Sequence, residues 1–182
     1  RDYDICISET CQSPGCGTTA CNAPGPHFAP SDTNQRLCYT TSASGTCPQS
    51  DIGQDGEYGW DTLHAAIERF TVDATVADDP IVIDNATGLS WLGCVVGRSG
   101  SDCLTGDIEF AYWPEALEAC DNSIWGGFDD WRLPDDHELF SLIDLGRSEK
   151  PFIDIDAFPN LPCDFACSYW TSSTISTGGN LA

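Results

Sequence analysis

The chain is short of positive charge. Its 182 residues include 7 Lys+Arg against 29 Asp+Glu, which gives a formal net charge of −22, and Lys150 is the only lysine. Binding to nucleic acid or to an anionic membrane surface depends on clustered cations, so neither is expected as a partner. The same shortage disfavours sulfated glycans. It favours neutral polysaccharides, divalent cations or neighbouring proteins.

Methionine is absent, and no apolar run approaches the length that crosses a bilayer, whereas cysteine is abundant at 11 residues. A reducing cytosol keeps thiols reduced, so this many cysteines favours an oxidising compartment outside the cytoplasm. Together with Arg1 at the start, these features are interpreted as those of a processed, exported polypeptide. We expect it to be secreted or held at a cell surface, without membrane insertion.

Recognisable catalytic motifs are also missing from the sequence. It contains no G-x-S-x-G, phosphate-binding loop, H-E-x-x-H or C-x-x-C-H pattern. His27, His64 and His137 stand apart from one another, without an evident nucleophile beside any of them. The chain is therefore predicted not to be an enzyme, and no cofactor is expected.

Paired acidic residues raise the question of calcium. Hard cations need several oxygen ligands from a fixed loop, and none of the pairs has the spacing of an EF-hand. Helix caps and a solvated acidic surface are the preferred interpretation, with calcium as the alternative and the identity of any metal left open. The pairs are Asp78-Asp79, Asp129-Asp130, Asp135-Asp136 and Asp154/Asp156.

Cysteine spacing predicts a small cross-linked unit at the N-terminus, over residues 1–29. This segment is rich in Ser, Thr, Gly and Pro, and its four cysteines are five residues apart. Disulfides among these four are preferred over a zinc site, and all three pairings stay open. The four are Cys6, Cys11, Cys16 and Cys21.

Three further disulfides are predicted from local spacing. Cys38 and Cys47 would close a hairpin in a segment covering residues 30–79. Two more pairs would close short loops, leaving Cys120 over. These pairs are Cys94–Cys103 and Cys163–Cys167.

The apolar periodicity predicts helices and strands. A helix is expected over Trp113–Asp121, where apolar residues recur on one face. A second is expected over Asp135–Leu145, opened by a capping box of Asp135 with Glu138 and ended by Gly146. The spacing also predicts a helix over 60–70, and two strands, 81–83 and 89–96, joined by a turn at 84–88.

Five sequence motifs follow one another along the second half of the chain. They are Asp84-Asn85-Ala86-Thr87-Gly88-Leu89-Ser90-Trp91, Trp113 to Cys120, Asp130-Trp131-Arg132-Leu133-Pro134 with Glu138-Leu139, Phe158-Pro159-Asn160, and Tyr169-Trp170-Thr171-Ser172-Ser173-Thr174. These motifs and their order resemble the Lcl C-terminal domain family of bacterial secreted and surface proteins. The resemblance covers about residues 80 to 174 and implies a domain over 80–182. It further implies an α+β, C-type-lectin-like core of two helices and small antiparallel sheets, following the disulfide-rich irregular N-terminal segment.

The resemblance also implies that the domain lacks its last strands in this sequence. Cys120 would then be free, or bridged to a cysteine outside residues 1–182. The open sheet edge would be covered by later residues or by another copy. The segment from Arg132 to Leu139 is similar to a helix start of formylglycine-generating enzymes. This similarity adds a related enzyme as an alternative, and it is the least favoured one.

Individual motif residues have structural interpretations. Arg132 is predicted to be a buried, hydrogen-bonded structural arginine, because an unpaired charge at a helix entrance is costly. Asn85 is assigned to a turn rather than to glycosylation. Trp125, beside two glycines, is the candidate for an exposed, sugar-stacking ring. The core tryptophans are expected to be Trp91, Trp113, Trp131 and Trp170.

The sequence thus predicts a non-enzymatic extracellular structural or adhesion module of a bacterial surface assembly or fibre. Its expected partners are further copies of itself or another surface protein. The alternative is a lectin-type adhesin that binds neutral or metal-bridged glycans.

Overall fold

The computed structural model describes residues 5–8, 35, 37–39, 44–46, 69–163 and 168–174. These residues form an α+β structure of two helices and two small antiparallel sheets, cross-linked by disulfides, as the sequence predicts. No helix within these residues is both long and apolar enough to span a membrane. In chain order the elements are β1 (Ile7–Ser8), β2 (Leu37–Tyr39), β3 (Ser44–Thr46), β4 (Phe70–Asp73), β5 (Ile81–Asp84), β6 (Ser90–Leu92), α1 (Trp113–Asp121) and α2 (Asp136–Phe140).

The larger sheet has the strand order β1-β6-β5-β4, and a separate hairpin pairs β2 with β3. The predicted strand at 81–83 is confirmed as β5, and the predicted turn follows it. In that turn Gly88 has a φ of 77°, and Asp84 Oδ1 accepts a hydrogen bond from Ala86 N at 2.9 Å. The strand predicted at 89–96 is shorter. It ends at Leu92, because the Cys94–Cys103 disulfide closes the following residues into a loop.

The first predicted helix is confirmed with its bounds, Trp113–Asp121. Its start is fixed by Glu115, whose carboxylate accepts a hydrogen bond from Tyr112 N at 2.8 Å. On the face predicted to be buried, Ala116 and Cys120 are fully buried. Trp113 and Leu117 are partly buried and pack against the same core.

The second predicted helix is present but shorter than expected. It begins with the predicted capping box and ends at Phe140, so the predicted end at Gly146 is wrong. Ser141 donates its hydroxyl to Glu138 O at 2.7 Å, and Asp144 N donates to Phe152 O at 2.9 Å. This second bond draws the chain toward a returning loop and out of the helical path.

Residues 60–68 of the helix predicted over 60–70 lie outside the described residues. Its last predicted member, Phe70, begins strand β4. The Phe70 ring meets the buried Phe158 ring edge-on, with centroids 5.5 Å apart. Phe70 therefore contributes to the core from a strand.

One core contains the buried side chains of the larger sheet, α1 and the motif segments. Trp91, Trp131 and Trp170 are buried in it, as predicted. Trp113, also predicted to be a core residue, is only partly buried and packs against the core, and its indole Nε1 donates to Thr171 O at 2.8 Å. The core also includes Ile5 and Ile7, far upstream in the sequence.

The disulfide between Cys6 and Cys120 corrects two predictions. Cys6 does not pair with another N-terminal cysteine, and Cys120 is neither free nor bridged outside the sequence. Strand β1 lies beside β6, which brings Cys6 to α1 with a Cα–Cα distance of 5.5 Å from Cys120. Spacing could not predict a bond across 114 positions. Residues 5–7 thus share the core of the 80–182 domain.

Of the other predicted disulfides, one is confirmed, and the rest involve cysteines that lie outside the described residues. The Cys94–Cys103 disulfide is confirmed. Cys38 and Cys163 are each disulfide-bonded. The remaining cysteines lie outside the described residues. They are Cys11, Cys16, Cys21, Cys47 and Cys167.

Candidate functional site: the motif framework around Arg132

Arg132 connects three parts of the fold. Its backbone N–H and carbonyl exchange hydrogen bonds with those of Ile7, both at 2.8 Å. Its guanidinium donates to the two carboxylate oxygens of Glu138, at 2.9 and 2.6 Å. The predicted hydrogen bonding of Arg132 is therefore confirmed, but its predicted burial is wrong, because the side chain is 39% exposed. Arg132 joins strand β1, its own motif and helix α2.

Glu138 is held as a carboxylate. Burial of its carboxyl group raises the pKa, but hydrogen bonds from Arg132 and Asp135 N, with the positive charge of Arg132, outweigh burial. The net effect is a pKa below the ordinary value. At neutral pH the ion pair is therefore intact, and it fixes the start of α2 on the motif.

A second ion pair, between Arg69 and Asp84, is more deeply buried. The Arg69 guanidinium donates to both Asp84 carboxylate oxygens, at 3.3 and 3.0 Å, and to Ser141 O at 2.6 Å. It also lies 4.6 Å from the centroid of the Phe70 ring. Arg69 thus ties the β5 turn to the end of α2.

The Arg69–Asp84 pair was missed by reasoning from the sequence. Asp84 belongs to the first motif, and its place at a strand end indicated only a turn residue. Arg69 lies outside every motif, and nothing in the sequence marks it as the partner of Asp84. The only available hint was a carboxylate directly after three apolar strand residues, which must be paired if it is buried.

Trp125 occupies a tight turn and is half-buried. Its indole Nε1 donates to Pro80 O at 2.7 Å, and its backbone exchanges two hydrogen bonds with Phe128, each at 3.0 Å. Gly126 and Gly127, which lie between Trp125 and Phe128, have φ values of 59° and 85°. The predicted sugar-stacking ring is thus fixed in position and exposed over part of its surface.

Two of the four acidic pairs contribute to a helix cap and a turn. Asp135 Oδ1 accepts from Glu138 N at 2.8 Å as the cap of α2, and Asp136 Oδ1 accepts from the Ser173 hydroxyl at 2.8 Å. Together with His137, Asp135 and Asp136 form a group of three possible metal-ligating residues. Within the described part of the chain it is the one group of three or more His, Cys, Asp or Glu residues whose possible ligand atoms all lie within 4.8 Å of one another. Asp154 Oδ1 accepts from Asp156 N at 2.9 Å in a turn. Asp135 thus serves as the helix cap that the sequence predicts.

The described residues form a small, disulfide-linked α+β domain in which some motif side chains contact other motif residues, as Arg132 contacts Glu138 and Trp113 contacts Thr171. A family model described as the Lcl C-terminal domain matches residues 80–182, more than half of the chain. The chain therefore belongs to the Lcl C-terminal domain family, as its motifs predicted. Comparison with curated proteins and with solved structures gives no match.

Proposed function

We propose that the chain is a non-enzymatic, extracellular structural or adhesion module of a bacterial surface assembly, built on a C-type-lectin-like core. The observation that carries the proposal is the use of the motif side chains inside the fold. Trp131 and Leu133 are buried, and Arg132 is paired with Glu138. Groups that serve packing and ion pairing in this way support a structural role for the motif.

The proposed core rests on its elements and their order. An antiparallel β5–β6 pair precedes two short helices, and the motif segments return to pack against them. Trp170, in the last motif, donates from Nε1 to Ala111 O at 3.1 Å. This arrangement of two helices with small antiparallel sheets supports the C-type-lectin-like assignment.

The proposed location outside the cytoplasm is supported by disulfide chemistry. Both disulfides with two described cysteines are buried in the domain, and one joins its distant β1 to α1. Such bonds form and persist in oxidising compartments. Family membership favours a bacterial surface as the site.

Immunogold labelling of the cells that produce the protein tests this function, combined with light scattering of the protein released from them. We expect label at the cell surface or on extracellular assemblies, and particles larger than one chain. Label confined to the cytoplasm would contradict the proposed location. Dispersed single chains under all conditions would contradict a role in assembly.

A glycan-binding function is the second candidate, and the fixed position of the partly buried Trp125 ring favours it. Stacking on a sugar needs a held aromatic face, which the Nε1 bond to Pro80 O supplies. A glycan array should show binding to neutral glycans that Trp125→Ala abolishes and Trp125→Phe partly retains. Phe140→Ala, at an exposed aromatic elsewhere, is the matched control. An array without binding, or binding unchanged in Trp125→Ala, would eliminate this candidate.

A further inference from the structure

Strand β1 fills a slot between β6 and the Arg132 segment. On one side, Leu92 N donates to Cys6 O at 2.9 Å. On the other, Ile7 exchanges two hydrogen bonds with Arg132. Ile5, Cys6 and Ile7 are each at most 2% exposed. Without this strand the slot would expose apolar side chains and leave backbone groups unpaired.

The slot and the strand come from distant parts of the sequence. The groups that pair with β1 belong to β6 and Arg132, within the 80–182 domain, whereas residues 9–68 separate the strand from Arg69. The described hydrogen bonds and packing contacts of the strand involve only the strand's own residues and the residues that line the slot. A strand held in this way makes the same contacts whichever copy of the chain supplies it, which is the basis of domain swapping.

We propose that the slot accepts the Ile5–Ser8 segment of a second copy, which contains β1, so that copies are joined by strand exchange. The Cys6–Cys120 disulfide then links the two chains covalently. The inference rests on the proposed assembly role and names its partner as another copy of this chain. Reciprocal exchange gives a dimer. Head-to-tail exchange leaves a slot at one end and a strand at the other, so that further copies add.

Closing the junction is a two-electron oxidation. The Cys6 thiol of one copy and the Cys120 thiol of the other lose two protons and two electrons as their sulfur–sulfur bond forms. A disulfide oxidant of the exporting compartment takes them up and is reduced to two thiols. Copies that carry −22 each repel one another. The covalent bond, with the backbone hydrogen bonds beside it, holds them together against that repulsion.

Isotope mixing tests the exchange in the native chain. Equal amounts of ¹⁴N- and ¹⁵N-labelled protein are reduced, unfolded, refolded together with a disulfide oxidant and digested without reduction. Random exchange should give mixed labels in about half of the Cys6–Cys120 linked peptides. The Cys94–Cys103 linkage closes a short loop in one chain and should show no mixing. Correctly bonded Cys6–Cys120 peptides without mixed labels would overturn the proposal.

Co-production of Cys6→Ser and Cys120→Ser chains in an oxidising compartment avoids refolding. Neither variant can form this bond within itself, so the bond can arise only between two chains. We expect a covalent heterodimer of about twice the 19.6 kDa chain mass, containing the Cys6–Cys120 peptide, and no such peptide from either variant alone. Its absence from the co-produced sample would count against strand exchange. Surface assemblies lacking this linkage would retain the proposed function and exclude this junction.

Discussion

At the level of single residues, the fold contains two arginine–carboxylate ion pairs that differ in solvent exposure. The Arg69 side chain is 11% exposed and Asp84 is fully buried, whereas Arg132 is 39% exposed. Removing one partner of a buried pair leaves an uncompensated charge, while solvent screens the more exposed pair. The Asp84 pair should therefore be the more sensitive to substitution.

Asp84→Asn should lower the free energy of unfolding by about 3 kcal/mol, because it leaves the Arg69 charge without its partner. The amide oxygen can still accept from Ala86 N, so the turn is preserved. Urea denaturation of the purified chain measures the change. Asp73→Asn is the matched control, since Asp73 accepts a turn hydrogen bond from Thr75 N and should cost under about 0.5 kcal/mol. Equal costs at both positions would refute the importance of the ion pair.

Glu138→Gln should cost about 2 kcal/mol at pH 7, the range for hydrogen bonds to charged groups. Because the folded-state pKa of Glu138 is lowered, its contribution is fully present above the unfolded-state pKa, near the ordinary 4.5. It is lost as the pH falls through the folded-state pKa. The difference in unfolding free energy between wild type and variant should therefore shrink below pH 4.5.

Urea denaturation across pH 3 to 7 checks this dependence. Glu149→Gln removes the same charge at an exposed position and should give a small difference of under about 0.5 kcal/mol. A Glu138→Gln difference that stays constant down to pH 3 would show that charge on Glu138 does not contribute.

Among the elements, the Trp125–Phe128 turn depends on two glycines in different surroundings. Both have positive φ, so alanine at either position is strained by about 1 kcal/mol. A Cβ on Gly126 would also overlap the Ile81 side chain, whereas a Cβ on Gly127 meets nothing within 4 Å. Gly126→Ala should therefore destabilise the protein by about 1 to 3 kcal/mol more than Gly127→Ala. Thermal unfolding of the two variants is the measurement, and equal melting temperatures would contradict the close approach.

Strand β1 depends on its disulfide more than the 94–103 loop depends on its own. In a single chain without strand exchange, replacing Cys6 and Cys120 together by Ser removes a cross-link across 114 positions, and replacing Cys94 and Cys103 removes one across 9. Because loop-closure entropy grows with loop length, the first double variant should lose about 2 kcal/mol more stability than the second. Guanidinium unfolding compares them. The reverse order would mean that β1 is held mainly by its hydrogen bonds and packing.

For the whole molecule, charge opposes association. At an ionic strength of about 0.01 M the screening length is roughly 30 Å, and at about 0.15 M it is roughly 8 Å. Copies carrying −22 each should therefore assemble more readily as salt rises. Light scattering across this range, with sodium chloride and then with calcium at matched ionic strength, measures the trend.

A larger effect of calcium than of matched sodium, reversed by chelator, would indicate cation binding to the acidic surface. Assembly that weakens as salt rises would show instead that attraction between charges drives association, contrary to the expectation from net charge.

The sequence by itself determined the family, the local disulfide and the starts of the two helices. Helix α1 follows from apolar spacing, and α2 starts at the Asp135–Glu138 capping box, because caps and periodicity are written within a few neighbouring residues. The Cys94–Cys103 bond was predictable for the same reason, since the two cysteines are nine positions apart and bracket a loop rich in Gly and Ser.

Tertiary structure decided what joins distant parts of the chain. The Cys6–Cys120 bond, the partner of Asp84 and the end of α2 at Phe140 each depend on segments that meet only after packing. No local pattern marks such contacts, because the cost of closing a long loop is repaid by burial in the shared core. The core therefore decided that an N-terminal strand completes the sheet of a domain that begins some 70 residues later.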